Sequence, residues 1–264
     1  MSEIDHSIEP LTPERLDDYI KPCWVPGEDL ADGAELKQEL LREQLEEGFI
    51  GRLLYVEGRP VGLAEALPLR IAPFKLEGRH TAVLHCIWVK PDWQGRGYGR
   101  ELLEAVRAAA APQALAAFGF DFAGFMPADF FIHLGFRTLE ERDNIKLLYL
   151  PPTDADPAAE PRVRWLPRNY QPASVPGKLV IEVFVDHHCP YAALIAQRVA
   201  SAAREVDPLL IEVVVHDVSR RPDTLRLGKS LGVFADGEEL FLGPLPRDQI
   251  VELLEEQLTR RGLR

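Results

Sequence analysis

Cysteine is scarce: Cys23, Cys86 and Cys189 are the only three in 264 residues, and no C-x-x-C pair occurs. An odd, scattered set gives neither a disulfide framework nor a thiolate zinc site, so no metal centre is expected. Net positive charge is also missing. Lys and Arg number 30 against 42 Asp plus Glu, a formal charge of −12, which argues against nucleic acid as a partner and fits an ordinary solubilising surface. No apolar stretch approaches the length of a membrane span, and Met1-Ser2-Glu3-Ile4-Asp5 has neither a basic region nor an apolar run. A soluble, cytoplasmic protein with no membrane partner is the expectation.

What is present centres on one strand-turn-helix segment. An apolar strand, Thr81 to Val89, leads through Gln94-Gly95-Arg96-Gly97-Tyr98-Gly99 into a helix that starts near Gly99. Glycines at 95, 97 and 99 allow positive φ and close approach, so that successive N–H groups can face one anion, and the helix adds its positive dipole end. A Walker loop would need Lys-Ser/Thr where Arg100-Glu101 stands. A dinucleotide fold would need G-x-G-x-x-G, whereas this run is G-x-G-x-G. Leu102, Leu103 and Val106 recur at helical spacing, with Arg100, Glu104 and Arg107 on the polar face.

The pattern Gln/Arg-x-x-Gly-x-Gly/Ala after a strand ending Val89-x-Pro91 resembles the GNAT family of acetyl-CoA dependent N-acetyltransferases. That resemblance implies an α/β fold with a mixed central sheet, acetyl-CoA as acyl donor and direct attack by a primary amine. It also implies that backbone groups of Ile87, Trp88 and Val89 pair with the pantetheine arm and that Gln94, Gly95, Arg96, Gly97, Tyr98, Gly99 and Arg100 hold the diphosphate. Members of the family often carry a tyrosine four residues before the Gly of a helix-Gly-Phe element, as a proton donor to the leaving thiolate. In Phe130-Phe131-Ile132-His133-Leu134-Gly135-Phe136 that place is taken by Phe131, which can flank the cofactor but not donate. By alternation Val83, His85, Ile87 and Val89 share one face, which makes His85 a candidate base, with a buried structural histidine as the alternative reading and Glu65 on the neighbouring strand as the other candidate base.

The rest of the chain reads as two further parts. Thr12-Pro13-Glu14 opens one helix, Leu36, Leu40, Leu41 and Leu45 stripe a second that ends at Gly48, and Glu57-Gly58 joins two strands. Phe118, Phe120 and Phe122 alternate along a later strand. Seven prolines between 151 and 176 mark a stiff linker on which Trp165 and Tyr170 suggest some packing. From residue 177 the order is βαβαββα, beginning with the apolar strand Leu179 to Val185, and it resembles thioredoxin. The domains expected are a GNAT domain over 1–150, the linker over 151–176 and a smaller, degenerate thioredoxin-like domain over 177–264, a plan that resembles the YoaP-like bacterial acetyltransferases.

Cys189-Pro190-Tyr191-Ala192 stands where thioredoxin-like proteins carry C-x-x-C. With Ala192 in place of the second cysteine no internal disulfide cycle is possible, and only a monothiol role would remain for Cys189. Three functions follow in order: an N-acetyltransferase for a small-molecule or peptide amine, a CoA-binding sensor with little catalysis, and a monothiol redox protein. The sequence leaves the oligomeric state open, a homodimer included.

Overall fold

The computed structural model describes residues 5–121, 125–142, 145–153 and 163–264. The chain divides into one unit made of Met1–Pro26, Leu41–Ala72 and Leu76–Leu166, and a second made of Gly27–Leu40, Pro73–Lys75 and Pro167–Arg264. No helix among the described residues is long and apolar enough to cross a membrane.

Strands of the first unit are β1 (His6–Pro10), β2 (Ile50–Val56), β3 (Arg59–Pro68), β4 (Leu76–Gly78), β5 (Thr81–Val89), β6 (Ala114–Phe120), β7 (Arg137–Arg142), β8 (Ile145–Leu150) and β9 (Val163–Trp165). Seven of them form one sheet in the order β1-β2-β3-β5-β6-β8-β7, and β4 pairs with β9 separately. Within the large sheet every neighbouring pair is antiparallel except β5 with β6. Glu57 and Gly58, at φ 49° and 72°, make the two-residue turn between β2 and β3, a geometry that matches the twist of the flanking strands. The helices are α1 (Leu16–Ile20), α2 (Ala31–Glu46), α3 (Tyr98–Ala110) and α4 (Ala128–His133).

Helix α3 lies on β2, β3 and β5 and buries Leu102, Leu103 and Val106, as its periodicity requires. Each such side chain contributes about 1.5–3 kcal/mol on leaving water. Helix α2 departs from the expected leucine stripe. Leu40 and Leu41 are buried but Leu36 is 36% exposed, while Lys37 and Gln44 are buried. The buried face is thus rotated toward positions 33, 37, 40, 41 and 44, and long polar side chains cover part of it through their alkyl stems. Strand β6 ends at Phe120, and Phe122 falls outside the described residues. Phe118 stacks on Trp165 of β9 at 5.8 Å, so part of the proline-rich stretch packs on this unit.

The second unit comprises β10 (Leu179–Val185), α5 (Tyr191–Val206), β11 (Ile211–Asp217), α6 (Arg221–Leu227), β12 (Gly232–Ala235), β13 (Glu238–Phe241) and α7 (Arg247–Arg260). Its sheet has the order β11-β10-β12-β13, with β10 and β11 parallel. All seven residues of β10 are buried, the mark of a central strand covered on both faces. Leu179, Ile181, Val183 and Val185 pack under α5 and α7, whereas Phe184 points the other way with Val218 and Phe234. On that second face Glu182 accepts from the Tyr170 hydroxyl (2.5 Å) and the Ala173 amide (3.0 Å), and lies 3.0 Å from His216 Nε2. These bonds satisfy a buried carboxylate and pin residues 170–173 to the sheet. Burial, and then the bond to Glu182, push the Tyr170 hydroxyl far above the usual tyrosine pKa.

Two early segments complete this unit. Arg198 pairs with Glu28, Gln197 Nε2 donates to Asp32 at 2.8 Å, and Thr224 and Arg221 donate to the carbonyls of Pro73 and Phe74 at 3.2 and 2.9 Å. Gly33 of α2 sits on the backbone of Pro190, and a Cβ there would stand 1.9 Å from its carbonyl oxygen. Gly33→Ala is therefore expected to cost ~3 kcal/mol and lower the thermal midpoint followed by circular dichroism. An unchanged melting curve would contradict the close approach.

Candidate active site

The pairing of β5 with β3 breaks at one residue. It runs from Gly62↔Val89 to Glu65↔Cys86 and resumes with Ala66↔Leu84 through Pro68↔Ala82. Glu65 and Ala66 are consecutive but Cys86 and Leu84 are not, so His85 is the extra residue of a β-bulge. Directly paired residues share a face, which puts Val83, Cys86 and Trp88 with Glu65 and places Leu84, Ile87 and Val89 on the opposite face. The alternation expected for Val83, His85, Ile87 and Val89 is corrected accordingly.

That bulge brings both candidate bases together. His85 Nδ1 lies 3.5 Å from Glu65 Oε2, with the imidazole 9% exposed and the carboxylate fully buried. Tyr19, which the sequence did not single out, is fully buried beside them, and its hydroxyl donates to the Ala64 carbonyl at 2.9 Å. Burial raises the Tyr19 pKa well above its ordinary value, and the charge of Glu65 pushes the same way. A contact across 45 residues from a short helix leaves no trace in periodicity.

Next to the bulge the parallel pair comes apart. β5 and β6 are laddered from Thr81↔Ala114 to Leu84↔Ala117 only. Beyond that point β5 keeps β3 on its other side and β6 keeps β8, from Phe118↔Leu147 to Phe120↔Ile145. The edge of β6 is partly covered, because the Phe120 amide donates to Met126 O at 3.1 Å. The facing edge of β5 over residues 85–89 can therefore pair with an extended ligand arm. Gln94 closes this stretch by donating from Nε2 to Val89 O at 2.8 Å. Side chains of Ile87 and Val89 are buried and the Trp88 indole donates to Pro22 O at 3.1 Å, so these three residues offer the opening their backbone.

After the 3-10 turn Pro91–Trp93, Gly95 and Gly97 take φ 73° and 90°, and Gly97 caps α3 without a side-chain bond. The first N–H groups of a helix have no intrahelical acceptor, so this start presents donors and the positive dipole end together. A Cβ on Gly97 would have nothing within 4 Å. The helix begins at Tyr98, and Gly99 lies in its first turn with ordinary φ; its Cβ would meet the Phe130 ring at 3.2 Å, so packing rather than positive φ requires that glycine. The Tyr98 ring is buried and lies 5.1 Å from the His6 ring, which leaves its backbone for a ligand. Arg96 and Arg100 are exposed, and Arg96 lies over the Trp93 ring at 4.8 Å.

Phe131 is fully buried, edge-on to Phe130 and Phe136 at 5.1 and 5.4 Å. The ring that meets the start of α3 is Phe130, one position before the residue the motif marks. Gly135, at φ 92°, ends α4. In the second unit Cys189 is exposed just before α5, with its carbonyl accepting from the Ala192 amide at 3.0 Å. The two histidines before it part company. His188 Nδ1 lies 2.6 Å from Asp186 inside the unit, and His187 faces Asp217 at 3.8 Å.

Comparison with solved structures finds a putative acetyltransferase of the GNAT family from Desulfovibrio desulfuricans, 20% identical, covering 56% of this chain and 99% of that one with a TM-score of 0.44. PaiA N-acetyltransferase from Thermoplasma acidophilum, in complex with coenzyme A, is 11% identical over 56% and 99% of the two chains at a TM-score of 0.43. The ribosomal-protein-S18-alanine N-acetyltransferase of Escherichia coli is 18% identical over 59% and 99% at 0.42. Among curated proteins the chain has no match. Residues 14–123, which hold the bulge, the parted strands and the glycine-capped helix start, match the model of the acetyltransferase (GNAT) family, and the chain carries a GNAT acetyltransferase domain there.

Proposed function

We propose that the first unit moves the acetyl group of acetyl-CoA to a primary amine by direct attack. The observation that carries this reading is the unladdered edge of β5, which runs from the Glu65–His85 pair to the Gly97-capped start of α3. Space and donors at Gly95–Tyr98 fit a diphosphate, and the strand edge fits an extended amide-bearing arm. His85 takes the proton of the attacking ammonium, and the Glu65 carboxylate stabilises the imidazolium that results. The amine nitrogen then bonds to the thioester carbon, the carbon–sulfur bond breaks and the thiolate leaves, and the acylated nitrogen gives its second proton to water, which balances the proton the thiolate takes up. Since a phenyl ring carries no acidic proton, the thiolate takes one from water rather than from Phe131.

A second reading, a CoA-binding module with little turnover, draws on that same phenyl ring. For the second unit we propose a degenerate thioredoxin-like domain, supported by its βαβαββα order, in which Ala192 removes the resolving thiol. A monothiol role of the exposed Cys189 ranks third. An amine panel with acetyl-CoA, read as free thiol released, tests the leading proposal. No turnover with any amine, alongside tight acetyl-CoA binding, would favour the binding module.

Gly97→Val is expected to stay folded, because a Cβ there has open space for 4 Å around it, while the left-handed φ costs about 1–2 kcal/mol locally. Its acetyl-CoA affinity should fall at least about tenfold by calorimetry, since a β-branched side chain stands between the N–H groups and the diphosphate. His85→Ala should lower turnover roughly a hundredfold at pH 7 with acetyl-CoA binding unchanged. Part of the rate should return as pH approaches the ~10 typical of an alkylammonium, where the amine loses its proton unaided. Full activity of His85→Ala across the pH range would move the search for a base to Glu65. Cys189→Ser should leave acetyl transfer nearly intact, and a large fall in turnover at constant acetyl-CoA affinity would place the thiol in the reaction path.

A further inference from the structure

The two large sheets have four edge strands, and three of them are blunted against pairing with another chain. β1 is five residues long and ends in Pro10, which has no N–H to offer. β7 holds Arg137, Glu140, Glu141 and Arg142 among its six residues, and its register shifts between Thr138 and Glu140. β13 has four residues, two of them Glu238 and Glu239, and its ladder with β12 is interrupted as well. β11 of the second unit is the exception. It runs for seven residues in unbroken register with β10, carries Ile211, Val213, Val214 and Val215, and has neither proline nor lysine. Val215 (49%) and, two residues before the strand, Leu209 (80%) are the most exposed large apolar side chains of this unit among the described residues.

Alternation decides which backbone groups face outward. The Leu179 amide donates to Leu210 O at 2.8 Å and the Val218 amide to Val185 O at 2.9 Å, so the even-numbered residues of β11 turn their peptide groups to β10. Val213 and Val215 therefore point N–H and C=O away from the sheet, and no described residue bonds to those groups. At the ends the edge is occupied. The Ile211 amide donates to Asp207 O at 3.1 Å, and the Asp217 carboxylate accepts from the Ser219 amide and hydroxyl at 2.9 and 2.6 Å. The open stretch is thus Glu212 to His216.

We propose that this edge pairs antiparallel with the same edge of a second copy, about a two-fold axis at Val214, so that the four-stranded sheet continues across a homodimer. Only an axis at Val214 pairs the whole open stretch with itself, and it does so with outward-pointing residues opposite one another, as an antiparallel ladder requires. Val213 then exchanges backbone bonds with the partner's Val215, Val214 meets the partner's Val214, and Glu212 meets the partner's His216. Glu212 lies 2.7 Å from Lys178, and His216 Nε2 lies 3.0 Å from Glu182, which leaves the other nitrogen of His216 for the partner's Glu212. Moving the axis by one residue would set Val214 against an acid or an imidazole. Apolar against apolar and carboxylate against imidazole, in the register that uses the full edge, is what favours a second copy over a foreign strand.

Sedimentation equilibrium of the full chain, from about 1 µM to about 500 µM, reads the assembly. One strand pair makes a small interface, so a dimer with Kd on the order of 10 µM is expected. Val215→Lys puts a charge on the exposed edge without touching the ladder to β10, and should weaken the dimer at least about tenfold with circular dichroism and melting curve unchanged. Register is read by disulfide trapping with diamide in a Cys189→Ser background. Residues opposite each other at a site without hydrogen bonds lie ~4.5 Å apart at Cα, within disulfide reach, so Val214→Cys should link two copies. Val215→Cys, which faces the partner's Val213 instead of its own counterpart, should link at least about tenfold more slowly. A monomer at every concentration would overturn the proposal and leave the edge to a foreign strand. A dimer that Val215→Lys leaves intact would overturn it by placing the interface elsewhere, and equal trapping of the two cysteine variants would overturn the register.

Discussion

The site depends on a strand that has to serve two neighbours at once and stops doing so. β5 cannot pair in register with β3 along its whole length while carrying an extra residue, and the extra residue, His85, sits next to the last rung shared with β6. A bulge increases local twist, and a twisted strand leaves a parallel neighbour sooner than a flat one. The same distortion that aims an imidazole at a buried carboxylate thus coincides with the opening of a hydrogen-bonding edge beside it. Glu65 is a group that burial alone would make costly, and the His85 imidazole 3.5 Å away gives it a polar neighbour.

Much of this was legible residue by residue. Gly95 and Gly97, an amphipathic α3, the Glu57-Gly58 turn and the βαβαββα order of the second unit follow from local chemistry, and local chemistry is what a sequence displays. The bulge was not legible. An alternation count assumes a strict period of two, and a single inserted residue shifts every later side chain to the other face, so Val83 and Ile87 part although the spacing places them together. Phe131 shows a related limit. A motif position can be read from its distance to Gly135, but which of two adjacent rings meets the phosphate loop depends on how a six-residue helix is rotated, and the structure turns Phe130 to it.

Helix α2 shows how a leucine count can mislead when two environments share one helix. Its first ten residues belong to the second unit and the last six to the first, so there is no single apolar stripe to find. Lys37 and Gln44 are buried where leucine would have been the simpler choice, and Gly33 has no side chain because a backbone passes there. None of these positions stands out by composition, since the partner that explains Gly33 is 157 residues away along the chain.

The second unit is discontinuous, and the consequence is one of timing. Residues 27–40 and 73–75 leave the ribosome long before β10 and α5 exist, yet their partners at Pro190, Arg198 and Thr224 come more than a hundred residues later. During synthesis these segments have to wait for their partners, and each such contact closes a long loop whose entropy is lost before the contact forms. The second unit consequently cannot be completed until α5 and α6 have been made, although its own seven elements are local and simple.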